Sequence, residues 1–530
     1  MTRFKKFTSI LASTTMLLSS TMIFNPFTAA AEEDFASYGL GDENITIAEE
    51  EAFLDTLGSA NDEAFEDVTV LTSVDLSETN YFPPIGNQGS LGSCASWATT
   101  YYQFTYEANK LKNITTNASN AYSPSYTFNL LNGGVNAGVS AVYAYDVLKN
   151  QGAMKMNVCP YDASNFNYNW DYTVQNQINA LKTRLTGHGE LVVTTSSTSK
   201  ITSCTDTDLD EVKKALCYGK VLMIRVQAGS GMSNWSFKST NSGDGVAAYR
   251  ASSAGGGHAM VVVGYDDTVT CDINGNGTIE ASERGAFKIA NSWGTGWKND
   301  GFVWLMYDAL NVVSANTTNS WEDSESGTRI PAFQRTSGSG NKFHYIDVDN
   351  KIINLVGALN VDIPRRYGLK ISTGKTAASD VMFYLAQGNL SNKIASHSGS
   401  IVVDYADCDT DILSSLTSNW YVKIQNLSSV KQSCSYTYSI LDDRANVVKN
   451  FGQISTGIVS GGTAQANRQI TLREGDVNYD GIIDSNDYDM VSGSLTYLTT
   501  LSTLQKNLGD VNHDGQIMIN DAIAIMQMYD

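Results

Sequence analysis

The strongest constraint on what this 530-residue chain can fold into is a repeat near its end. Gly475-Asp-Val-Asn-Tyr-Asp-Gly481 returns as Gly509-Asp-Val-Asn-His-Asp-Gly515, 34 residues later. Oxygen-bearing groups at alternate positions, with a glycine at the sixth, are what a hard cation needs from a twelve-residue loop. The first loop offers Asp476, Asn478, Asp480, the Ile482 carbonyl, Asp484 and Asp487. The second offers Asp510, Asn512, Asp514, the Gln516 carbonyl and Asp521, with Met518 at the ninth position unable to ligate through its side chain. Apolar residues at helical spacing follow (Ala522, Ile525, Met526). A module this small has little core of its own, so calcium is expected to contribute to its fold.

The opposite end reads as an export signal over residues 1–31. Arg3, Lys5 and Lys6 form a basic start, an apolar stretch follows to Phe27, and Ala29-Ala30-Ala31 offers a small-residue cleavage site. No later stretch approaches the length of a membrane span. The chain is expected to be secreted without membrane insertion. Between Phe7 and Asn109 there is no Lys or Arg, and Glu32 to Asp67 holds thirteen acidic residues. This block, with a faint helical signal at Ile47, Phe53, Leu54 and Leu57, reads as an acidic prosegment over 32–73 that is removed on maturation. A net charge of −20 argues against nucleic acid or an anionic membrane as partner. Seven cysteines, an odd number, suggest one thiol kept free, with Cys94 the candidate. Cys408 with Cys434 and Cys204 with Cys217 are possible pairs.

From about 74 to 318, helical and strand patterns alternate. Trp97, Tyr101, Phe104 and Ala108 give the stretch from Cys94 to Lys110 one apolar helical face, and Ala259–Gly264 and Gly285–Ala290 read as buried strands. Residues 331–468 consist of short alternating runs between Gly, Ser and Asn turns, the texture of a β-sandwich accessory domain. Ser460 to Ala466 reads as a linker.

The chemistry lies in the first of these regions. A cysteine nucleophile attacks as the thiolate, so its pKa must be lowered, and a helix N-terminus with a nearby imidazole does that. A third group must orient the imidazole, and donors must face the oxygen that becomes negative. Cys94 opens the helical segment after Gly92-Ser93. Gln88 precedes it by six residues, His258 follows Gly255-Gly-Gly257 at the start of a strand, and Asn291 opens Asn291-Ser-Trp-Gly-Thr-Gly-Trp297.

These segments resemble the papain family of cysteine peptidases over roughly 74–318: Gln88-Gly-Ser-Leu-Gly-Ser-Cys94, His258 leading into Val-Gly-Tyr265, and Asn291 to Trp297. The resemblance implies an α+β, two-lobed peptidase domain in which Cys94 is the nucleophile and His258 the general base and then acid. Asn291 would orient His258, Trp293 would shield that bond, and Gln88 with the Cys94 N–H would form the oxyanion hole. It also implies that Gly133 and Gly134 face an extended substrate, and that Gly256 and Gly257 bound the pocket two residues before the scissile bond. The chain departs from the family where Leu91 and Leu131 stand in place of a pair of cysteines, and where Ala95 replaces the Trp that follows the nucleophile. A cell-wall amidase with a similar Cys–His order, and a non-catalytic interaction or regulatory protein, are the competing functions. Gln88 and the Asn-Ser-Trp-Gly run count against the first, and the complete set of site residues counts against the second.

His258 and Asn291 lie 164 and 197 residues past Cys94, beyond the roughly 130–150 usual for the family. Part of the excess is a third calcium-type loop between them, with Asp272, Asn274 and Asn276 at alternate positions, Gly277 sixth, the Thr278 carbonyl seventh and Glu283 twelfth.

The terminal repeat, two loop–helix units without leading helices, resembles a dockerin over 475–530. The resemblance implies a small all-α calcium-binding domain with two ions and a cohesin domain of a scaffolding protein as partner, as in cellulosome-type complexes. Ser485, Asn486, Ile519 and Asn520, at the tenth and eleventh loop positions, are the candidate cohesin contacts. Polypeptide is the expected substrate.

Overall fold

The computed structural model describes residues 37–529 except 44, 62–64, 168–170, 193–195, 198–199, 202–205, 244, 252–254, 311–341, 364–368, 375–380, 385–396, 406–416 and 427–431. The signal segment, Cys204 and Cys408 therefore lie outside the described residues. Every contact below lies within the unit Phe35–Asp530.

One helix organises the first region. It runs through Cys94–Ser96, a π-helical stretch Trp97–Phe104 and Thr105–Lys112. From Cys94 to Asn109 every residue is buried. The sequence pattern had marked only one apolar face, because the other faces carry polar residues whose partners cannot be seen in the sequence. Thr99 donates to the Ala95 carbonyl at 2.7 Å, and Thr100 pairs with Thr127 at 2.9 Å. Gln103 donates to the Val221 and His344 carbonyls at 2.9 and 2.7 Å and accepts from the Tyr145 hydroxyl at 2.6 Å. Buried polar groups are tolerated when bonded in this way.

The helix packs against a nine-stranded, mainly antiparallel sheet. Its order is Thr183–Val192, Lys342–Asn350, Leu222–Ala228, Gly256–Thr270, Arg284–Ala290, Phe302–Met306, Val246–Ala251 and Trp235–Ser239, with Ser73–Asp75 added on Gly256–Thr270. Lys342–Asn350 falls in the stretch assigned by sequence to the accessory domain, yet it pairs with strands of the first region, Asn350 opposite Thr183 and Phe343 opposite Ile224. Alternation identifies a strand but not its partner, so the boundary is displaced to about residue 350.

Beyond it stand two four-stranded antiparallel sheets, one of His397–Asp404, Leu355–Ile363, Gln432–Asp442 and Val447–Ile458, the other of Val381–Tyr384, Leu369–Gly374, Thr417–Asn426 and Thr463–Thr471. Tyr405 joins them, its ring 4.3 Å from Trp420 and its hydroxyl bonded to Thr373 and Tyr438. The last strand begins inside the stretch read as a linker. Ala464 and Ala466 bury too little to give a strong alternation, but Gln465 lies opposite Lys423 in a continuous register with Thr417–Asn426. Gln177, in the helix Val174–Leu181, donates to the Ser400 carbonyl at 3.0 Å and accepts from Val402 N–H at 3.1 Å, while Arg184 pairs with buried Asp404.

The terminal module has helices Ser485–Leu495, Thr503–Gly509 and Ile519–Tyr529 over a core of Val477, Val491, Leu501, Ala522 and Ile525. With Leu504 and Leu508 that makes seven buried apolar side chains among the described residues of the module, few for independent stability, which fits a fold completed by cations. Among the described residues no helix is long and apolar enough to cross a membrane.

Candidate active site

Cys94, His258, Asn291 and Gln88 are all fully buried. Cys94 begins the central helix and His258 lies near the start of the strand Gly256–Thr270, whose Val262 faces Ile289 of the strand that ends immediately before Asn291. His258 Nε2 is 2.9 Å from Asn291 Oδ1. That oxygen also accepts the Ser292 N–H at 2.8 Å, so it is an acceptor and Nε2 must carry the proton. The neutral imidazole then has its lone pair on Nδ1, which has no hydrogen-bond partner. The Cys94 sulfur lies by the N–H of Ala259, the residue after His258. Trp293 is buried with its ring 5.1 Å from that of His258, so water is kept from the His258–Asn291 bond.

Gln88 is held by a residue that sequence reading passed over. Ser292 donates its hydroxyl to Gln88 Oε1 at 2.6 Å, and Gln88 N–H donates to the Ser292 carbonyl at 2.8 Å. The amide NH2 is thereby turned away, donating to the carbonyls of Leu91 at 2.9 Å and Gly39 at 2.8 Å. Tyr161 braces the same turn, its hydroxyl bonding the Gln88 carbonyl and Ser93 Oγ at 2.7 Å each.

Gly39 belongs to the acidic block, and that block lies across the site. The Tyr38 ring lies tilted against Trp293 at 5.8 Å, Gly39 N–H donates to the Gly89 carbonyl, the Gly41 carbonyl accepts from Val139 N–H at 2.8 Å, and Asp42 N–H donates to the Gly257 carbonyl at 3.0 Å. Only glycine fits at two of these steps. A Cβ on Gly39 would come 2.2 Å from the Leu91 oxygen, and one on Gly41 1.9 Å from the Gly92 oxygen. Leu40 between them packs 3.5 Å from where a Gly256 Cβ would stand. The Gly-Leu-Gly interruption in an acidic stretch was the available signal. The faint helical pattern is a real helix, Ile47–Leu57, capped by Thr46 and docked through Phe53 on Tyr143 at 4.9 Å. Arg225 anchors the middle of the segment. It pairs with the Asp42 carboxylate, reaches Glu50 Oε2 at 3.2 Å and donates to the Glu43 carbonyl at 3.1 Å.

With the segment in place, burial first and the Asp42 carboxylate second push the Cys94 thiol up to about 12, although the N–H groups of Ala259, Gly41 and Ala95 oppose the rise. Burial pulls His258 down to about 4, against the opposing effects of Asn291 and Asp42. With the segment in place the site thus holds a neutral thiol and a neutral imidazole. At pH 8 such a thiol is ionised only about one part in ten thousand. Alkylation of Cys94 by iodoacetamide in the segment-bound chain should therefore be at least a thousandfold slower than in the chain freed of it. Equal rates would show that the segment does not cover the sulfur. Burial lowers the imidazole's pKa to about 4 in the covered state, so a state that returns the ring to water would bind more protons as pH falls from about 6.5 toward about 4. Acidification through that window should loosen the segment, read as faster amide exchange at Gly39–Glu43.

The three calcium-type loops share one hydrogen-bond skeleton. The twelfth residue takes N–H groups of the third and ninth positions: Glu283 from Asn274 and Glu280, Asp487 from Asn478 and Asp484, Asp521 from Asn512 and Met518. The first residue takes the N–H of the sixth, a glycine in the left-handed region in every loop (Gly277, Gly481, Gly515). The third takes the N–H of the fifth, and the fifth that of the seventh. The Asp and Asn side chains at the alternate positions are so fixed in all three loops, and Asp476 Oδ1 is buried with no hydrogen-bond partner. The residues present fit calcium.

Gly133 and Gly134 take left-handed backbone in the turn after the helix Pro124–Leu131, where Gly134 N–H donates to Asn132 Oδ1 at 2.8 Å. The acidic segment pairs with Val139 instead. Ser485, Asn486, Ile519 and Asn520 are exposed at the first turns of the two loop-following helices. A cluster the sequence did not signal, His188, Glu190 and His344, gathers within 4.8 Å. Lys342 already neutralises Glu190 at 2.5 Å, and the two rings meet at 3.1 Å, a hydrogen-bonded pair.

Residues 70–321 match the papain family cysteine protease, so this region is a papain-family cysteine protease domain and the molecule is a cysteine peptidase. Residues 469–528 match the dockerin type I domain, and the chain carries that domain as its second identified part. Among solved structures the chain is similar to xylellain, a cysteine protease from Xylella fastidiosa, at 17% identity over 59% of this chain and 96% of that one, with a TM-score of 0.36. It is also similar to procathepsin B from Trypanosoma congolense (15%, 52% and 82%, 0.34) and to the bromelain protease of Ananas comosus (14%, 52% and 99%, 0.33). No curated protein sequence matches it.

Proposed function

We propose that the protein is a secreted cysteine endopeptidase, made latent by residues 32–73 and attached through its dockerin to a cohesin-bearing scaffold of a cellulosome-type complex. The observation that carries the catalytic part is the fixed proton on His258 Nε2, which leaves the unpartnered Nδ1 as the base. Once the acidic segment has left, water re-enters, the Asp42 carboxylate is gone and the thiol can pass its proton to His258 Nδ1. The Cys94 thiolate attacks the peptide carbonyl carbon. The oxygen, now negative, takes hydrogen bonds from Gln88 Nε2 and the Cys94 N–H, the first of which already holds the Gly39 carbonyl at 2.8 Å. His258 gives its proton to the leaving amine, then removes one from the water that hydrolyses the thioester. Asn291 holds the ring through both transfers. Gly256 and Gly257 leave room for a bulky apolar side chain two residues before the scissile bond, the space beside which Leu40 packs.

Casein and a peptide library should be cleaved by the segment-free chain, with cleavage abolished in Cys94→Ala. Hydrolysis of peptidoglycan instead would support the amidase reading. Binding of the dockerin to a cohesin should require calcium and fall at least tenfold when Ser485, Asn486, Ile519 and Asn520 are replaced by alanine.

Calcium would be held by Asp272, Asn274, Asn276, Thr278 and Glu283 in the third loop as well as in the two dockerin loops. It would brace the hairpin joining the His258 strand to the Asn291 strand. A full-length chain with Asp487→Asn and Asp521→Asn, which disables the dockerin loops, should still lose most of its activity in a chelator and regain it with calcium. Activity indifferent to the chelator would remove the third site.

A further inference from the structure

The geometry points to a second binding site, a lysine-lined cavity for a small phosphate-ester dianion or polyanion at the junction between the peptidase sheet and the β-sheets that follow. The cavity has a volume of about 500 Å³ and is lined by Lys112, Lys155, Lys182 and Lys351. It lies between the end of the helix Val174–Leu181 and the link at Asn350 that leaves the peptidase sheet. None of its lining residues belongs to the catalytic or calcium sites.

Four lysines lining one cavity would be ordinary in a basic protein. Here they occur in a chain with 35 basic and 55 acidic residues, and the lining contains no Asp or Glu. Among the described residues none of the four makes an ion pair, although Lys110, Lys213, Lys214, Lys220, Lys288 and Lys342 all do. Lys112 Nζ is held on neutral oxygens, Tyr122 Oη at 3.0 Å and Thr183 Oγ1 at 2.5 Å, and Lys112 and Lys155 both lie over the Tyr122 ring at 5.7 and 5.8 Å from its centroid. Like charges gathered within a Debye length repel, and a partly enclosed cavity screens them poorly. The remaining polar lining is carboxamide, including Asn179 and Asn350, which add neutral N–H donors weaker than the lysine ammonium groups. The volume is too large for a bare inorganic anion and suits a phosphate with an attached group. Such an anion could come from a free nucleoside diphosphate or from a glycerol-phosphate polymer. The proposal does not depend on the peptidase reading.

The test uses the full chain as Cys94→Ala, which prevents self-processing, with calcium present. The probe is pyrenetrisulfonate, a fluorescent trianion. One equivalent should bind, more weakly as salt rises, and a phosphate ester should displace it. Whether adenosine diphosphate or a glycerol-phosphate oligomer displaces it at lower concentration identifies the source. Lys155→Gln with Lys351→Gln should weaken binding at least tenfold while leaving Tm unchanged or raising it, because two mutually repelling charges are removed. Unaltered dye binding in that variant, or dye that no phosphate ester displaces, would overturn the proposal. So would a Tm lowered by more than about 5 °C, which would mean that the lysines serve structural partners.

Discussion

Replacing Arg225 with methionine should turn a latent chain into one that matures rapidly and is poorly inhibited by its own acidic segment. Arg225 is about 5% exposed, and the two carboxylates it meets, Asp42 and Glu50, are 5% and 1% exposed. Removing the cation would leave both buried without their counter-charge. Breaking a buried pair in this way costs about 3–5 kcal/mol, enough to weaken docking by roughly a hundredfold or more. The effect is selective because all three Arg225 bonds reach the acidic segment, at Asp42, Glu43 and Glu50. The variant's mature domain should therefore keep its kcat, while a peptide spanning residues 37–60 inhibits it at least a hundredfold less than it inhibits the natural sequence. An unchanged inhibition constant would mean that Gly-Leu-Gly packing, not the ion pair, holds the segment.

The second large effect is expected at Gln88. Its Nε2 is the side-chain donor aimed into the cleft, and donors of this kind act on charge that exists only in the transition state. Gln88→Ala should lower kcat by about 10²–10³ with KM little changed. Ser292→Ala should lower it less, by about tenfold, because the amide remains but loses the hydroxyl that sets which way its NH2 points. Equal losses in the two variants would mean that Ser292 does more than orient Gln88. A rise in KM with kcat unchanged would place Gln88 in substrate binding alone.

What could be read from the sequence was the chemistry that depends on residue type and spacing. Cys94, His258, Asn291 and Gln88 each stand in a short segment whose glycines and aromatics are tied to their surroundings, so the candidate site was visible before any coordinates. The three calcium-type loops were visible as patterns for the same reason, since residue type at fixed positions marks them. What could not be read was pairing. Lys342–Asn350 has the alternation of any half-buried strand, and nothing local says that its neighbours lie at residues 183–192 and 222–228. Ser292 and Tyr161 support Gln88 through contacts across long chain separations, 204 residues in the case of Ser292. The acidic segment was legible as acidic but not as the occupant of the cleft. Its two indispensable glycines are explained only by the backbone oxygens of Leu91 and Gly92, which stand where their side chains would be.

The most direct measurement is the pH dependence of Cys94 alkylation in the segment-free, calcium-loaded chain, followed by peptide mapping, with and without His258→Ala. A thiol activated by the imidazole should react rapidly well below pH 7 and lose that reactivity in the variant. A rate that climbs only near pH 8.5, as for any exposed cysteine, and is the same in both chains, would contradict the Cys94–His258 pair and the proteolytic mechanism with it.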